Sequence, residues 1–568
     1  HNPIDPEEHV INIGDWNVIQ STTLDRDPNQ HPYYKKHSNS KIWQICHDHE
    51  LVDPWRFRNP HEKFFSWKQH NHPRHSRIDY ALVNSDANAI VSNVGYSEPP
   101  FYNDHKIFNI SLELGKYQQG KGYFRISNHL YYDLNFVSKI NEMIDSTLAN
   151  STQSPENILD CILFNTSTIA KEHITLTQQR KLAERRFLVN EIRVYENYVH
   201  NHPDRNPEDV TTLESLRADL DELNLQENFE NIRRERAADL SNPQRPSRDF
   251  KPPPTSSRKK FTEIYSESEP DKLLNNQQEA EEEVYKFFKN LYKQEPEHND
   301  FDEFVNFPLP QVTDSENNDL TKIVTTNEIA EFIKTTNHNK APGLTGETTA
   351  FFKCFWPKIK NLVTNALNNV LQIKELPKRQ KIGIICLIPK QEKDPRKIGN
   401  LRPITLLSTF YKIISGIITN RLKPILDRII NSWQKAYLPG RYIGEVTRST
   451  YDIFASATAN NLPGILLLVD FSKAFDSISF NFIEKTLRAF GFSDEIIGWI
   501  NILLLDFESV TCLNGNPSLR IPLERGCRQG DPIAGYMFIL CLEILLLKIS
   551  KTNNISPWVS PKIGRAHV

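Results

Sequence analysis

The chain has 568 residues, too many for a single hydrophobic core, so about two to four domains are expected. With 38% hydrophobic and 24% charged residues it has the balance of a globular protein, and no window approaches the roughly eighteen uninterrupted apolar residues of a membrane span, so none is expected. Its net charge of −3 hides a sharp internal asymmetry.

From residue 9 to 115 short strands alternate with loops. Val10-Ile-Asn-Ile13 and Ile78-Asp-Tyr-Ala-Leu-Val83 are β-rich, and Phe108 to Leu114 alternates apolar and polar residues with period two. Histidines crowd this part, as in His70-Asn-His72-Pro-Arg-His75, without the spacing of a zinc site. Residues 130–240 switch to helical periodicity. Leu188, Ile192, Tyr195 and Val199 recur along one face, and Leu213, Leu216, Leu220 and Leu223 repeat in a 3-4-3 step. This predicts amphipathic helices acting as a spacer or packing platform. Pro243, Pro246 and Pro252 to Pro254, interspersed with Arg248, Lys251 and Arg258 to Lys260, predict an extended basic linker. A helix is predicted from Ala280 to Tyr292, with Val284, Phe287, Phe288 and Leu291 on its apolar face. From 327 to 555 helices and strands mix, the pattern of one large domain. There the apolar run Leu466 to Val469 predicts a buried strand that delivers Asp470 to its end, and Asn514-Gly515 is a hairpin signal.

Seven cysteines lie scattered without C-x2-C spacing, which argues against a disulfide scaffold or zinc site and for a reducing compartment. The charge asymmetry is local. Residues 351–440 hold 17 Lys/Arg against 4 Asp/Glu, whereas residues 261–320 hold 4 against 16. A block as basic as the former is the footprint expected for a polyanion partner.

The chemistry concentrates in two stretches of the large domain. Asp470-Phe-Ser-Lys-Ala-Phe475-Asp476 offers a carboxylate at a predicted strand end, a natural ligand for Mg²⁺. Arg525-Gly-Cys-Arg-Gln-Gly-Asp-Pro532 is a glycine-bracketed basic turn that enters an apolar helix. In this order they resemble motifs A and B of a reverse transcriptase palm. Further matches lie upstream: Asn339-Lys-Ala-Pro-Gly-Leu-Thr-Gly346, in which Thr345 replaces the usual Asp and is expected to weaken a helix cap, then Ile384 to Lys390 and Asn400 to Leu407, which read as paired fingers strands. The resemblance implies that Asp470 ligates Mg²⁺, with Mn²⁺ as the alternative ion. It implies that Lys390 and Arg402 contact the triphosphate, and that Phe475 lies under the sugar and excludes a 2′-hydroxyl. Gln529 would face the templating pair, Arg528 would contact the template or primer backbone, and Gly526 and Gly530 would allow close backbone approach. Asp476 is expected to shape the turn. Ala534-Gly535 departs from the usual Ser-Pro. The third motif of these polymerases, an Asp-Asp pair, does not occur after Asp531.

Near the start, Gly14-Asp15-Trp16-Asn17, Ser76-Arg77-Ile78-Asp79 and Asn103-Asp104-His105 follow in order. They resemble the motifs of the C-terminal half of an apurinic-endonuclease-like endonuclease/exonuclease/phosphatase domain, with Asn103 in place of Ser. In that family Asp15 would orient or deprotonate the attacking water, Asn17 would bond the phosphate region, and Asp79 would orient His105. His105 would contact the scissile phosphate, Asp104 would lie near the metal, and Ser66 would face the phosphate. The first half of that domain, with its metal-binding Glu, has no counterpart here, so the chain is expected to begin mid-domain and to lack nuclease activity.

Taken together, the resemblance is to a LINE-type non-LTR retrotransposon polyprotein. The expected fold class is multidomain α/β and α+β. Residues 1–115 are read as half of an endonuclease/exonuclease/phosphatase-type sandwich, 116–240 as a helical spacer and 241–262 as a Pro-rich basic linker. Residues 263–330 are read as an acidic helical lead-in, 331–555 as reverse transcriptase fingers and incomplete palm, and 556–568 as an irregular tail resembling translated adapter sequence. The implied function is RNA-directed DNA polymerisation with a DNA endonuclease, in target-primed reverse transcription. The implied partners are an RNA template, target DNA and deoxynucleoside triphosphates, in the nucleus and cytoplasm and without a membrane. This polypeptide itself is expected to be inactive. The alternative is a non-catalytic remnant that binds nucleic acid through its basic block.

Overall fold

A computed structural model describes residues 10–26, 42, 44–68, 75–97, 104–112, 120, 122–201, 207–240, 261, 263–269, 272–274, 276–296, 301–337 and 340–552. The expected Pro-rich linker (Phe261 apart), Asn103, Asn339 and the tail from 553 lie outside these residues. In chain order the elements are β1 (Ile11–Asp15), α1 (Pro54–Arg58), β2 (Trp67–Lys68), β3 (His75–Ser76), β4 (Asp79–Val83), α2 (Ser85–Ile90), β5 (Val91–Ser97), β6 (Ile107–Leu112), α3 (Leu134–Asn150), α4 (Pro155–Asn201) and α5 (Pro207–Leu240). They continue with β7 (Ile264–Tyr265), β8 (Leu273–Leu274), α6 (Gln277–Leu291), α7 (Phe301–Phe304), α8 (Asp314–Leu320), α9 (Thr326–Thr335), α10 (Thr349–Ile373), β9 (Ile382–Pro389) and β10 (Leu401–Leu406). The last are α11 (Thr409–Ile429), α12 (Gly444–Ala459), α13 (Phe480–Ala489), α14 (Asp494–Leu504), β11 (Phe507–Leu513), β12 (Asn516–Leu523) and α15 (Ala534–Lys551). These fall into two compact units, residues 1–116 with 175–258, and 117–174 with 259–568.

In the first unit β1 pairs antiparallel with β4, and β5 pairs antiparallel with β6. Ala81, Val83 and Ala87 pack against Phe108 and Ile110, so the two ladders share one apolar interface. Beneath them lies a buried charge cluster. Arg77 Nε pairs with Asp25 at 2.7 Å, its Nη1 pairs with Asp53 at 2.7 Å, and Arg56 pairs with the same Asp25. The Arg77 guanidinium also lies over the rings of Trp55 and Tyr80. A cation so enclosed is tolerable only because two carboxylates neutralise it.

The second unit is built around a four-stranded sheet of order β10-β9-β11-β12, with β9 and β11 parallel and the other pairs antiparallel. β9 and β10 lie near the expected fingers strands, paired Leu401 to Pro389 through Leu406 to Ile384. The β11–β12 turn is Asn514-Gly515, both at positive φ (50° and 88°), the geometry of a type I′ hairpin. One continuous core joins helices from both ends of the unit. Phe136, Ile140 and Ile144 form a stripe along α3, and Leu159, Ile162 and Leu163 form another along the start of α4; all are fully buried in this core. These two helical stripes, in a region read from the sequence as spacer, thus contribute to the second unit's core. α6 begins at Gln277 and buries Ala280, Val284 and Phe288.

The segment before α10 carries a buried acid. Gly346 takes φ 83° and its carbonyl accepts from Ile126 N at 2.9 Å. The cap of α10 is Thr348, whose side chain accepts from Ala350 N, so Thr345 is not the capping residue expected from the sequence. Glu347 is fully buried, and burial, only partly offset by Thr345 and the backbone beside it, pushes its carboxyl up to about 7. Because the folded state binds this proton more tightly than the unfolded chain, the group stabilises the fold as pH falls from about 7 towards the ordinary value of 4.5. Glu347→Gln, which cannot ionise, is expected to raise stability at pH 8 by roughly 1–3 kcal/mol, the linkage cost of ionising a carboxyl whose pKa burial has raised. The gain should disappear by about pH 5, as read by denaturant unfolding at both pH values.

Candidate active sites

The first site forms where three strand pairs of the first unit end together. The β1–β4 register sets Asp15 opposite Asp79. A bridge between Trp67 and His105 brings the third expected motif alongside β2. Lys68 N donates to Asp104 O at 2.8 Å and Lys106 N donates to Ser66 O at 2.7 Å, which fixes that approach. Ser66 Oγ donates to Asp79 Oδ2 at 2.8 Å and accepts from the backbone N–H groups of Ile78 and Asp79. His105 Nδ1 lies 3.0 Å from Asp79 Oδ2, so the ring proton belongs on Nδ1. Burial raises the Asp79 carboxyl above its ordinary value, against the hydrogen bonds from Ser66 and His105.

Asp15 is exposed, and its carboxylate accepts from Asn17 N at 2.9 Å and Asn17 Nδ2 at 3.2 Å. Asn17 sits at φ 51°, a left-handed position that asparagine tolerates. Ligand atoms of Asp15, Asp79 and His105 all lie within 4.8 Å of one another, a group able to hold a metal ion. Asp104, expected at the metal, stands outside this group; its carboxylate accepts from Trp67 Nε1 at 3.1 Å.

The second site lies where the two turns of the large unit meet. Asp476 N donates to Lys473 O, closing the turn that carries Phe475. Cys527 N donates to Phe475 O at 2.7 Å and Gly526 N to Ile478 O at 2.8 Å, so the two stretches singled out in the sequence are hydrogen-bonded to each other. Gly526, at φ 91°, makes this contact sterically feasible, since a Cβ there would lie 2.7 Å from the carbonyl oxygen of Asp476. The same basic turn also joins the sheet. Thr405 N of β10 donates to Gln529 O at 2.8 Å, and a Cβ on Gly530 would lie 2.7 Å from Thr405 O.

Lys390 follows β9 and donates through Nζ to Gly399 O at 3.2 Å. Its charge reaches both Asp476 and Lys473. Arg402 is exposed on β10, opposite Ile388. Gln529 is half-buried. Phe475 is partly buried between the rings of Phe538, at 5.0 Å, and Tyr437, at 6.0 Å. Gly535 has a steric reason, because a Cβ there would fall 2.5 Å from the Tyr437 ring. Nothing in the sequence pattern signalled Tyr437.

Three expectations are corrected here. Residues 462–471 form no strand, and Ile465 and Leu468 are 97% and 82% exposed. A strand needs a neighbour to satisfy its N–H and C=O groups, and among the described residues no strand pairs with this segment. Asp470 is consequently exposed rather than set at the end of a buried strand. Arg528, expected at a nucleic-acid backbone, is buried and pairs with Asp531 at 3.1 Å. Tyr411 and Ser415 of α11 donate to the same Asp531 carboxylate, and the Arg528 guanidinium lies 3.7 Å from the Phe507 ring centroid. The Arg–Asp pair of this motif thus anchors the turn to the core.

Residues 388–559 match the family model described as reverse transcriptase (RNA-dependent DNA polymerase). Most of the chain is similar to proteins of non-LTR retrotransposons, and this region to their reverse transcriptases. It is 26% identical over 556 residues to a Xenopus laevis protein named transposon TX1 uncharacterized 149 kDa protein, covering 96% of this chain and 42% of that protein. It is 27% identical over 172 residues to a Popillia japonica Pol polyprotein from retrotransposable element R2, covering 30% of this chain and 24% of that one. It is 24% identical over 220 residues to a Drosophila melanogaster probable RNA-directed DNA polymerase from transposon BS, covering 38% and 24%. The chain spans about two fifths of the TX1 protein's length. The matched reverse transcriptase region includes Arg402, both hydrogen-bonded turns and the buried Arg528–Asp531 pair.

Gly526→Ala is expected to lower unfolding free energy by roughly 1–3 kcal/mol, the cost of a strained left-handed residue, with the crowding on Asp476 added. Urea unfolding measures it, and an unchanged midpoint would show that the two turns do not meet as described.

Proposed function

We propose that the second unit extends a DNA primer on an RNA template, as the polymerase of a non-LTR retrotransposon. The observation that carries this reading is the pair of hydrogen bonds joining the Phe475 turn to the Gly526 turn, beside Lys390. The primer 3′-oxygen attacks the α-phosphorus of a deoxynucleoside triphosphate, and pyrophosphate leaves. Lys390 and Arg402 offset the charge of the departing phosphates. Phe475, held edge-on by Tyr437 and against Phe538, lies under the sugar and rejects a 2′-hydroxyl. Gln529 supports the templating pair. Exposure leaves the Asp470 carboxylate accessible to a hydrated Mg²⁺ or Mn²⁺, whereas Asp476 is buried and engaged by Tyr292. Such an ion, when bound, lowers the pKa of the primer hydroxyl and neutralises the triphosphate.

RNA binding is supported by part of the basic block only. At least eight of the 17 cations in residues 351–440 are ion-paired within the protein, three of them with Glu263, Glu316 and Glu328 of the acidic stretch and its continuation. The cations left to meet phosphates include Arg402 and Lys393, both exposed. Among the described residues no helix is long and apolar enough to cross a membrane. In a polypeptide that carries this chain together with a downstream Asp-Asp pair, Asp470→Ala is expected to abolish deoxynucleotide incorporation on a primed RNA, and Phe475→Ala to admit ribonucleotides. Full incorporation by Asp470→Ala would sink the assignment.

The first unit supports a second activity, hydrolysis of a DNA phosphodiester that frees a 3′-hydroxyl for the polymerase. The observation in its favour is the Ser66–Asp79–His105 chain of hydrogen bonds with Asp15 alongside. Asp79 holds the His105 ring so that Nε2 faces the phosphate, Asp15 orients the attacking water, and Asn17 bonds the phosphate region. The Asp15 and Asp79 carboxylates would hold a divalent ion, which would supply charge neutralisation at the phosphate, while His105 keeps Nε2 for the phosphate itself. Where a polypeptide containing this unit nicks supercoiled plasmid DNA, His105→Ala is expected to slow nicking by about 10²–10⁴-fold, the usual contribution of a positioned acid or base. An unaltered rate would remove His105 from the reaction.

A further inference from the structure

The last turn of α6 touches both halves of the polymerase site, although it lies more than 180 residues before the first of them. The Tyr292 hydroxyl, buried with its ring stacked on Phe288, donates to Asp476 Oδ1 at 3.0 Å. Asp476 immediately follows Phe475 and is itself buried. The Tyr292 carbonyl accepts from Glu524 N at 3.0 Å. The neighbouring Leu291 carbonyl, at the helix C-terminus, accepts from Arg525 Nε at 2.8 Å. Helix ends leave such carbonyls unsatisfied and carry partial negative charge, so a guanidinium is well placed there. Lys473 Nζ lies 4.1 Å from the Phe287 ring centroid, a further contact from α6 to the turn before Phe475. Thus α6 holds the turn carrying Phe475 by a side chain and the turn carrying Gly526 by backbone and Arg525, on either side of the two hydrogen bonds that join those turns.

We propose that Tyr292 is a positioning residue for nucleotide selection: its bond to Asp476, with the Arg525 anchor beside it, sets where the Phe475 ring stands relative to the sugar. The proposal rests on the polymerase reading above. A buried carboxylate that loses its donor pulls away to find another partner or solvent. In a turn whose preceding residue, Phe475, forms the wall of the sugar site, that movement changes the size of the site before it changes the fold. The ring of Tyr292 fills the core, and its hydroxyl alone makes the link, so the two roles are separable.

Tyr292→Phe keeps the ring and deletes the link. In this chain, hydrogen exchange of the Gly526 and Cys527 amides, which close the joint between the turns, is expected to speed up by about tenfold in the variant, the effect of losing one hydrogen bond to a charged group. Exchange in β9 and β10 should not change. In the polypeptide used for Asp470→Ala, the preference for deoxy- over ribonucleotide, as a ratio of kcat/KM values, is expected to fall about tenfold, with deoxynucleotide kcat little changed. Asp476→Asn retains an acceptor for the Tyr292 hydroxyl and is expected to keep the parental ratio. Unchanged amide exchange, or an equal loss for both nucleotides, would overturn the positioning role. If Asp470→Ala left incorporation intact, the polymerase reading would fail, while faster exchange at Gly526 and Cys527 would still establish the link itself.

Discussion

The second unit turns on one close approach, the backbone of Gly526 against the carbonyl of Asp476. Two peptide hydrogen bonds, Cys527 to Phe475 and Gly526 to Ile478, hold loops that lie about fifty residues apart in sequence. They can form only because position 526 has no side chain and accepts a positive φ. Everything proposed for nucleotide chemistry depends on that contact. It sets the Phe475 ring between Tyr437 and Phe538, and through Gln529 and Gly530 it couples the same turn to β10, the strand that carries Arg402.

Charge is used in two different ways in this protein, and residue type does not distinguish them. Arg528 and Arg77 both sit inside stretches that resemble catalytic motifs, yet both are buried and neutralised by aspartates. Removing water from a guanidinium is costly, and such a pair persists where good geometry and further donors complete it, as Tyr411 and Ser415 do for Asp531. Surface cations behave differently. Arg421 reaches Glu328 and Arg428 reaches Glu316, so the acidic lead-in helices cover part of the basic block they precede. The opposing charges of the two stretches are in part an internal fit, and the surface left for nucleic acid is smaller than the sequence count implies.

The first unit reaches its arrangement by register. Because β1 and β4 pair from Ile11 with Val83 to Asp15 with Asp79, the two acids must face each other at one end of the ladder. A slip of one residue would turn one of them to the opposite face. His105 joins them through a single bridge to Trp67, and Ser66 links its hydroxyl to Asp79 and to the backbone at once.

Features written in local pattern were legible in the amino-acid order alone. The alternation and apolar runs that became β4, β9 and β10, the stripe of α6, and the Asn514-Gly515 hairpin follow from side-chain period and backbone preference, which act over a few residues. The motif order carried the family. Tertiary structure decided what depends on partners far along the chain. The run before Asp470 has the composition of a strand but, among the described residues, no neighbour to complete its ladder, so it stays irregular and exposed. Arg528 turned inward because Asp531, Tyr411 and Leu503 converge on it, and no spacing announces that. Likewise Phe136, Ile140 and Leu159 joined the core, and Tyr292 met Asp476, through packing between distant elements. Local sequence specifies which face is apolar and which residue can turn; which groups then meet across that face is settled only when the whole core closes.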